Sequence, residues 1–298
     1  MSNTLDTIKT LTYGTELECT HISRQKAAQA IQSVVGGSIR HTGGTYDAWE
    51  VMDMAGRVWK AVTDGSLGDR ANSAEVVTPI LKYADIELLQ DVIRALRKAG
   101  AQTPECTSQH VHVGIQGWTP RQIANLARIY YKQEVLIMKA VGTLPNRIAR
   151  YTKPTDREFI TRLESMKPTT IEELNVAWFG RSMPHPAHYE SHRYRGLNLN
   201  NVWRMGTVEF RIFNGTNHAG IARANILFCL TLAAMAKEAK CASTKAPREY
   251  SAASAKYDMR VFLLRLGWIG EEFKNPRKHI LGNLPGSAAW KNGRQDVG

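Results

Sequence analysis

Thr15-Glu16-Leu17-Glu18-Cys19 sets two carboxylates two residues apart in a stretch that reads as a β-strand. Side chains along a strand alternate faces, so Glu16 and Glu18 share one face while Leu17 points into the opposite layer. Parallel acids repel one another unless water, protons or a cation lie between them. The same alternation returns in Gln109-His110-Val111-His112-Val113, a histidine pair backed by valines. It returns again in Leu197-Asn198-Leu199-Asn200 and in Val208-Glu209-Phe210-Arg211-Ile212. One layer of the implied sheet is apolar, and the other collects Glu, Glu, His, His, Glu and Arg. Such a face has the make-up of a metal and anion site.

The remaining strand-like runs lie at roughly 48–53, 57–64 and 74–81, with helical patterns at roughly 23–35, 84–99, 119–140, 155–166, 170–178, 218–240 and 256–267. Ser23 and Gly36 bracket the first helix, Asp85 and Gly100 the second, and Thr119-Pro120 opens the third. Val51-Met52-Asp53 and Val58-Trp59-Lys60-Ala61-Val62 flank a turn at Met54–Arg57 and predict a hairpin. Strands and helices do not alternate one for one. The expected class is therefore α+β, an antiparallel sheet with helices packed on one face and the polar face left open. Residues 142–195 carry Pro145, Pro154, Pro168, Pro184 and Pro186 and read as an irregular insertion over the sheet, a candidate lid. Residues 240–256, rich in Ala, Ser, Lys and Thr, read as an exposed connection.

Composition narrows the partners. The chain has 298 residues, 43% hydrophobic and 22% charged, enough to bury a substantial core. Its four cysteines, Cys19, Cys106, Cys229 and Cys241, are scattered without a C-x-x-C pair, which predicts a reducing compartment. Met1–Thr10 lacks a basic start followed by an apolar core, and the longest apolar run, Ile226–Ala236, falls short of the roughly 20 residues that span a bilayer. A cytoplasmic protein with no membrane partner is expected. The net charge of +12 sits entirely beyond residue 120. That basic C-terminal part suits an acidic partner, nucleic acid or a phosphorylated substrate.

Glu75 joins Glu16, Glu18 and Glu209 as an acid with apolar residues alternating beside it. Hard divalent cations prefer such carboxylate oxygens, usually together with substrate phosphates. The plainer alternative is a half-solvated sheet face. Of the two histidines, His112 is the chosen ligand because Gly114 lets another backbone or a nucleotide approach. Arg211 beside Glu209 can hold phosphate oxygens, or serve only as a structural ion pair. Arg193, Arg195 and Arg204 flank the Asn-x-Asn segment as further phosphate contacts or as surface charge. Asp64, in Asp64-Gly65-Ser66-Leu67, is a proton acceptor for an amine or a simple turn residue. The chain contains neither a G-x-x-x-x-G-K-[ST] loop nor a G-x-G-x-x-G following a strand, so any triphosphate must be held by metal and arginine. No G-x-S-x-G elbow is present either.

Taken in order, Tyr13-Gly14-Thr15-Glu16-Leu17-Glu18, Asp64-Gly65-Ser66-Leu67, Glu75-Val76-Val77-Thr78-Pro79, His110-Val111-His112-Val113-Gly114, Arg195-Gly196-Leu197-Asn198-Leu199 and Thr207-Val208-Glu209-Phe210-Arg211 resemble the amidoligase family of the glutamine-synthetase-like carboxylate–amine ligases. The resemblance spans about residues 11–240 and implies a glutamine-synthetase-like catalytic fold, a curved sheet forming one wall of a funnel. The expected organisation is a catalytic domain over 1–240 with the insertion 142–195, and 241–298, which the resemblance does not reach, as a basic helical extension packed on it. By the same resemblance Glu16, Glu18, Glu75, His112 and Glu209 hold two or three magnesium or manganese ions that bridge ATP phosphates. Asp64, Arg211 and Arg195 are then the catalytic groups, and Arg204, Arg211 and Asn198 face the nucleotide. The implied reaction joins a small-molecule or peptide carboxylate to an amine through an acyl phosphate. Two other classes stay open: a nucleic-acid binder with a degenerate ligase fold, and a metal-dependent phosphohydrolase.

Overall fold

Strand β1 (Thr12–Thr20) occupies the middle of the sheet because its odd-numbered side chains are greasy and its flanks pair on both sides. A computed structural model describes residues 4–242, 247 and 249–291. Within them a nine-stranded antiparallel sheet runs in the order β2 (Ser38–Gly43), β3 (Ala48–Met52), β4 (Val58–Val62), β5 (Ser73–Val77), β1, β7 (Ser108–Gly114), β9 (Thr207–Asn214) and β8 (Leu197–Asn198). The two-residue β6 (Leu81–Lys82) pairs with β1 beyond β5. The run expected at 74–81 is broken because Pro79 has no N–H to give a ladder. The alternating run read from Leu197 to Asn200 stops as a strand at Asn198, whose Oδ1 accepts the Asn200 backbone N–H and turns the chain away. β2 escaped the sequence reading: it is an edge strand, largely exposed, with Ile39 its single aliphatic side chain.

Ten helices complete the described chain: α1 (Thr4–Thr10), α2 (Arg24–Val35), α3 (Ile86–Lys98), α4 (Pro120–Ala140), α5 (Pro145–Arg150), α6 (Arg157–Met166), α7 (Ile171–Phe179), α8 (Ala219–Glu238), α9 (Ala255–Arg265) and α10 (Lys274–Gly282). Ser23 caps α2 by accepting from Lys26 N–H, and Thr119 forms a capping box with Gln122 at the start of α4. α2 packs over β2 to β5, α8 over β7, and α3 touches both helices. Tyr13, Leu17, Val76, Val111 and Phe210 are thereby buried, each apolar side chain contributing roughly 2 kcal/mol. α8 is long and apolar enough to cross a membrane by length and composition, but it is mostly buried as the central core helix.

Residues 142–195 differ from the irregular insertion expected of them. α5, α6 and α7 occupy just under half of the segment, α6 and α7 where helical patterns were expected, and they bury Phe159, Ile160, Leu163, Leu174 and Trp178. Its prolines punctuate these helices: Pro145 sits in the first turn of α5, and Pro168 follows the left-handed cap at Lys167. Residues 151–156 and most of the stretch between α7 and β8 are irregular. Past α8, Met259, Leu263, Trp268 and Ile280 pack against the same core, and Trp268 Nε1 donates to Thr231 Oγ1 of α8 at 2.9 Å. Of the expected connection at 240–256, residues 243–246 and 248 lie outside the described residues, as do 1–3 and 292–298 of the two chain ends.

Candidate active site

Register brings the acids together. Glu18 stands opposite Glu75 across β1 and β5, and Glu16 stands opposite His110 across β1 and β7. One rung further, His112 stands opposite Glu209, which in turn faces Asn198 of β8. Because side chains alternate, all of these point to the face away from α2 and α8. A bulge in β9, where the pairing slips between Gln109 and Val111, aims Arg211 at the same face beside His110. Arg211 Nη1 donates to Glu209 Oε1 at 2.5 Å.

The side-chain contacts are close. His110 Nδ1 lies 2.9 Å from Glu16 Oε2, and His112 Nε2 lies 3.3 Å from Glu16 Oε1 and 3.9 Å from Glu209 Oε1. Asn198 Nδ2 and Asn201 Nδ2 donate to Glu209 Oε2 at 2.6 and 2.9 Å. Glu18 Oε2 accepts the Ser108 backbone N–H at 2.7 Å. Glu16 alone of the central three keeps a quarter of its side chain open, while Glu209 and His112 are buried.

Three donor sets emerge, each with its ligand atoms within 4.8 Å of one another: Glu16, His112 and Glu209; Glu16, Glu75 and His110; Glu18, Asp64 and Glu75. Shared members chain the sets into one row. Carboxylate oxygens with an occasional imidazole suit magnesium or manganese. The fit is supported by His112: Nδ1 lies 3.2 Å from Thr207 Oγ1, while buried Nε2 makes no hydrogen bond and faces two carboxylates. With Nδ1–H donating to Thr207, the Nε2 lone pair would point at acid oxygens, an arrangement that a proton or a cation between them relieves.

Electrostatics agree with that reading. Burial pushes Glu75 far above the usual carboxylate range, and repulsion from Glu16, Asp64, Glu18 and Glu209 pushes it further. Burial also raises Glu18, only partly offset by His110 and the Ser108 N–H. For Glu209, burial is outweighed by Arg211, His112 and His110, and its pKa falls to about 2. Glu16 is likewise held low, His112 and His110 overcoming its burial. Within one row, Glu16 and Glu209 are thus held low, while Glu18 and Glu75 are pushed up, the direction that a bound cation would oppose.

Two cavities flank the row and share Glu16 and Met205. One, of about 600 Å³, is lined mostly by apolar side chains, among them Ile80, Ile115, Trp118, Ile171 and Val202, and reaches Glu16 and His112. The other, of about 1070 Å³, is polar and holds Asp64, Glu75, Arg147, Arg150, Arg193 and Arg211. Asp64 lies two residues past β4 and caps the short turn Gly65–Leu67 by accepting the Ser66 N–H, so it serves the turn and still sits in the third donor set.

Three expected residues stand elsewhere. Arg195 lines neither cavity: Nη1 donates to Pro154 O and Nη2 pairs with Asp156. Arg204 is exposed and donates to Asn201 Oδ1, behind Glu209. Asn198 is buried against Glu209, where it orients a carboxylate instead of meeting a nucleotide. Sequence reasoning passed over His110, although its parity with His112 put both on one face. It also gave no role to Arg147, which reaches the polar cavity from α5.

An open antiparallel sheet with a carboxylate–imidazole row on its uncovered face defines an α+β protein built around a candidate cation and anion centre. A family profile described as "Putative amidoligase enzyme" matches residues 9–233, and the chain belongs to that amidoligase family. Among solved structures, a bifunctional glutathione synthetase from Pasteurella multocida is similar, with 12% identity and a TM-score of 0.42. That match covers 93% of this chain and 48% of the other, so the chain spans about half of that protein's length. The comparison with curated proteins finds no match.

Proposed function

We propose that the chain is an ATP-dependent carboxylate–amine ligase. The observation that carries the reading is the row of overlapping donor sets set between an apolar cavity and a polar one of mixed charge. Glu16, His112 and Glu209, with Glu75, His110, Glu18 and Asp64 beside them, would hold divalent cations. When bound, such ions neutralise triphosphate charge and polarise the transferring phosphoryl group. The apolar cavity reaching Glu16 and His112 suits a nucleotide base and sugar, which need contact area more than charge. Its lining supplies a place for the base that no motif in the sequence indicated.

Arg211 carries the protein's part in phosphoryl transfer. Its guanidinium is held by Glu209 and aimed over the acid row, where it meets charge that builds on the γ-phosphoryl oxygens. A carboxylate oxygen of the substrate attacks the γ-phosphorus, the bond to ADP breaks, and an acyl phosphate forms. An amine then attacks the acyl carbon, the carbon–oxygen bond to phosphate breaks, and the amide remains. Asp64, at the rim of the polar cavity, takes the proton that the amine loses. The test is incubation with magnesium, ATP, a panel of carboxylates and hydroxylamine. Carboxylate-dependent ADP and hydroxamate formation is expected. Phosphate release independent of any acceptor would instead mark a phosphohydrolase.

A further inference from the structure

Lys60, Arg147, Arg150, Arg193 and Arg211 line the polar cavity beside acids that do not pair with all of them. Arg211 is committed to Glu209, and Lys60 to Glu50 at 3.2 Å. Arg147, buried with 5% of its surface exposed, donates Nη2 to Arg211 O, while its Nε has no hydrogen-bond partner and no carboxylate pairs with it among the described residues. Burial, with Glu18 opposing and neighbouring Arg211 reinforcing, drops its pKa to about 10, a sign of a cation lacking a counter-ion. The side chains of Arg150 and Arg193 make no hydrogen bond or ion pair among the described residues. Buried or half-buried guanidiniums without anions are costly, and they gain most from a ligand that brings one.

These cations lie at two depths. Arg147 and Arg211 are both 5% exposed and form the floor beside the acid row, whereas Arg150 is exposed and Arg193 half-buried. Arg147 and Arg150 are three residues apart on α5 and so share one side of it. Arg193 comes from the segment between α7 and β8, with its guanidinium 5.6 Å from the Tyr189 ring and 5.7 Å from the Tyr194 ring. That stacking limits its rotamers and leaves the hydrogen-bonding edge of the fork for a carboxylate. The cavity of about 1070 Å³ has room for a molecule that reaches from floor to mouth.

We propose, building on the ligase reading, that the carboxylate substrate carries a second anionic group, which Arg150 and Arg193 hold at the mouth while the reacting carboxylate lies over the floor near Arg147 and Arg211. Arg150 and Arg193 are then specificity determinants, remote from the reacting atoms. A nucleic-acid strand is disfavoured here, because Glu16, Glu18, Glu75 and Asp64 line the same space.

The experiment is calorimetric binding to the full chain in magnesium and a non-hydrolysable ATP analogue. The probes are glutarate, 4-phosphonobutyrate and the monoanion butyrate, which separate a carboxylate from a phosphonate as the second anion. At least one dianion binds on the order of tenfold more tightly than butyrate, as one added charge-assisted contact implies. In Arg150→Ala combined with Arg193→Ala that preference falls below about threefold, and lysine at both positions restores part of it. Equal binding of dianions and monoanion, no binding of any of them, or a preference that survives the double substitution overturns the proposal. Magnesium-dependent binding of the ATP analogue, measured first on the same samples, reports separately on the ligase reading: its loss in the unsubstituted chain sinks that reading.

Discussion

At the scale of single residues, neighbouring carboxylates are pulled in opposite directions because their surroundings differ. Arg211 and two histidines pull Glu209 down to about 2, whereas burial and four neighbouring acids push Glu75 far above the usual carboxylate range. Glu16 touches both histidines and belongs to two of the three donor sets. Glu16→Gln should therefore abolish ADP formation while circular dichroism and melting stay near those of the unsubstituted chain, since an amide is tolerated on a partly open side chain. Full activity in that variant removes Glu16 from the site. Arg211→Lys keeps the charge but loses the planar fork, and turnover should drop by roughly two orders of magnitude with nucleotide binding largely kept. Unchanged kcat would relieve Arg211 of any part in transfer.

At the scale of elements, two local contacts govern how the site is held. Gly196 precedes β8 where Tyr130, Met138 and Ile212 crowd in, and a Cβ there would stand 2.3 Å from Tyr130 Oη and 2.9 Å from Ile212 Cγ2. Gly196→Ala should push β8 off β9, tilt Asn198 away from Glu209, and cost about 1–3 kcal/mol. Urea melts and manganese titration would show both losses together, and a variant with native stability and affinity would deny β8 this role. The second contact ties α4 to the loop before α6: Glu134 accepts the Thr155 N–H and Oγ1–H, both at 2.8 Å. Burial raises Glu134 from 4.5 to about 7, the Thr155 donors opposing it only in part. Because the folded pKa exceeds the unfolded one, its stabilising share is complete below about pH 4.5 and fades as pH climbs through about 7, by up to about 3 kcal/mol. Glu134→Gln should flatten that decline between pH 5 and pH 8, and an identical slope in both proteins would contradict the assignment.

Over the whole molecule, what the sequence discloses and what it hides divide along physical lines. Two-residue periodicity in β1, β7 and β9 puts the polar set on one face wherever the strands end up, so that face was readable without knowing their order. Caps at Ser23 and Thr119 were readable for the same local reason. Strand order was not, and only order makes Glu18 face Glu75 and His112 face Glu209. The helices α6 and α7 were readable from their own periodicity, whereas the β9 bulge and the approach of Arg147 depend on contacts between distant segments, which leave no periodic trace. His110 is the exception: its parity was visible, and its pairing with Glu16 was the missing fact. Arg195 and Arg204 show the converse, arginines close in sequence to the site but engaged with Asp156 and Asn201.

The central claim is that tips from four strands and the turn after β4 meet to hold divalent ions. Electron paramagnetic resonance of added manganese measures this directly, by counting free ion against protein in the unsubstituted chain, in Glu16→Gln and in Glu209→Gln. The account predicts more than one bound manganese per chain, tightened by an ATP analogue, with affinity falling at least tenfold in either variant. Absence of bound manganese, or binding indifferent to both substitutions, would contradict it.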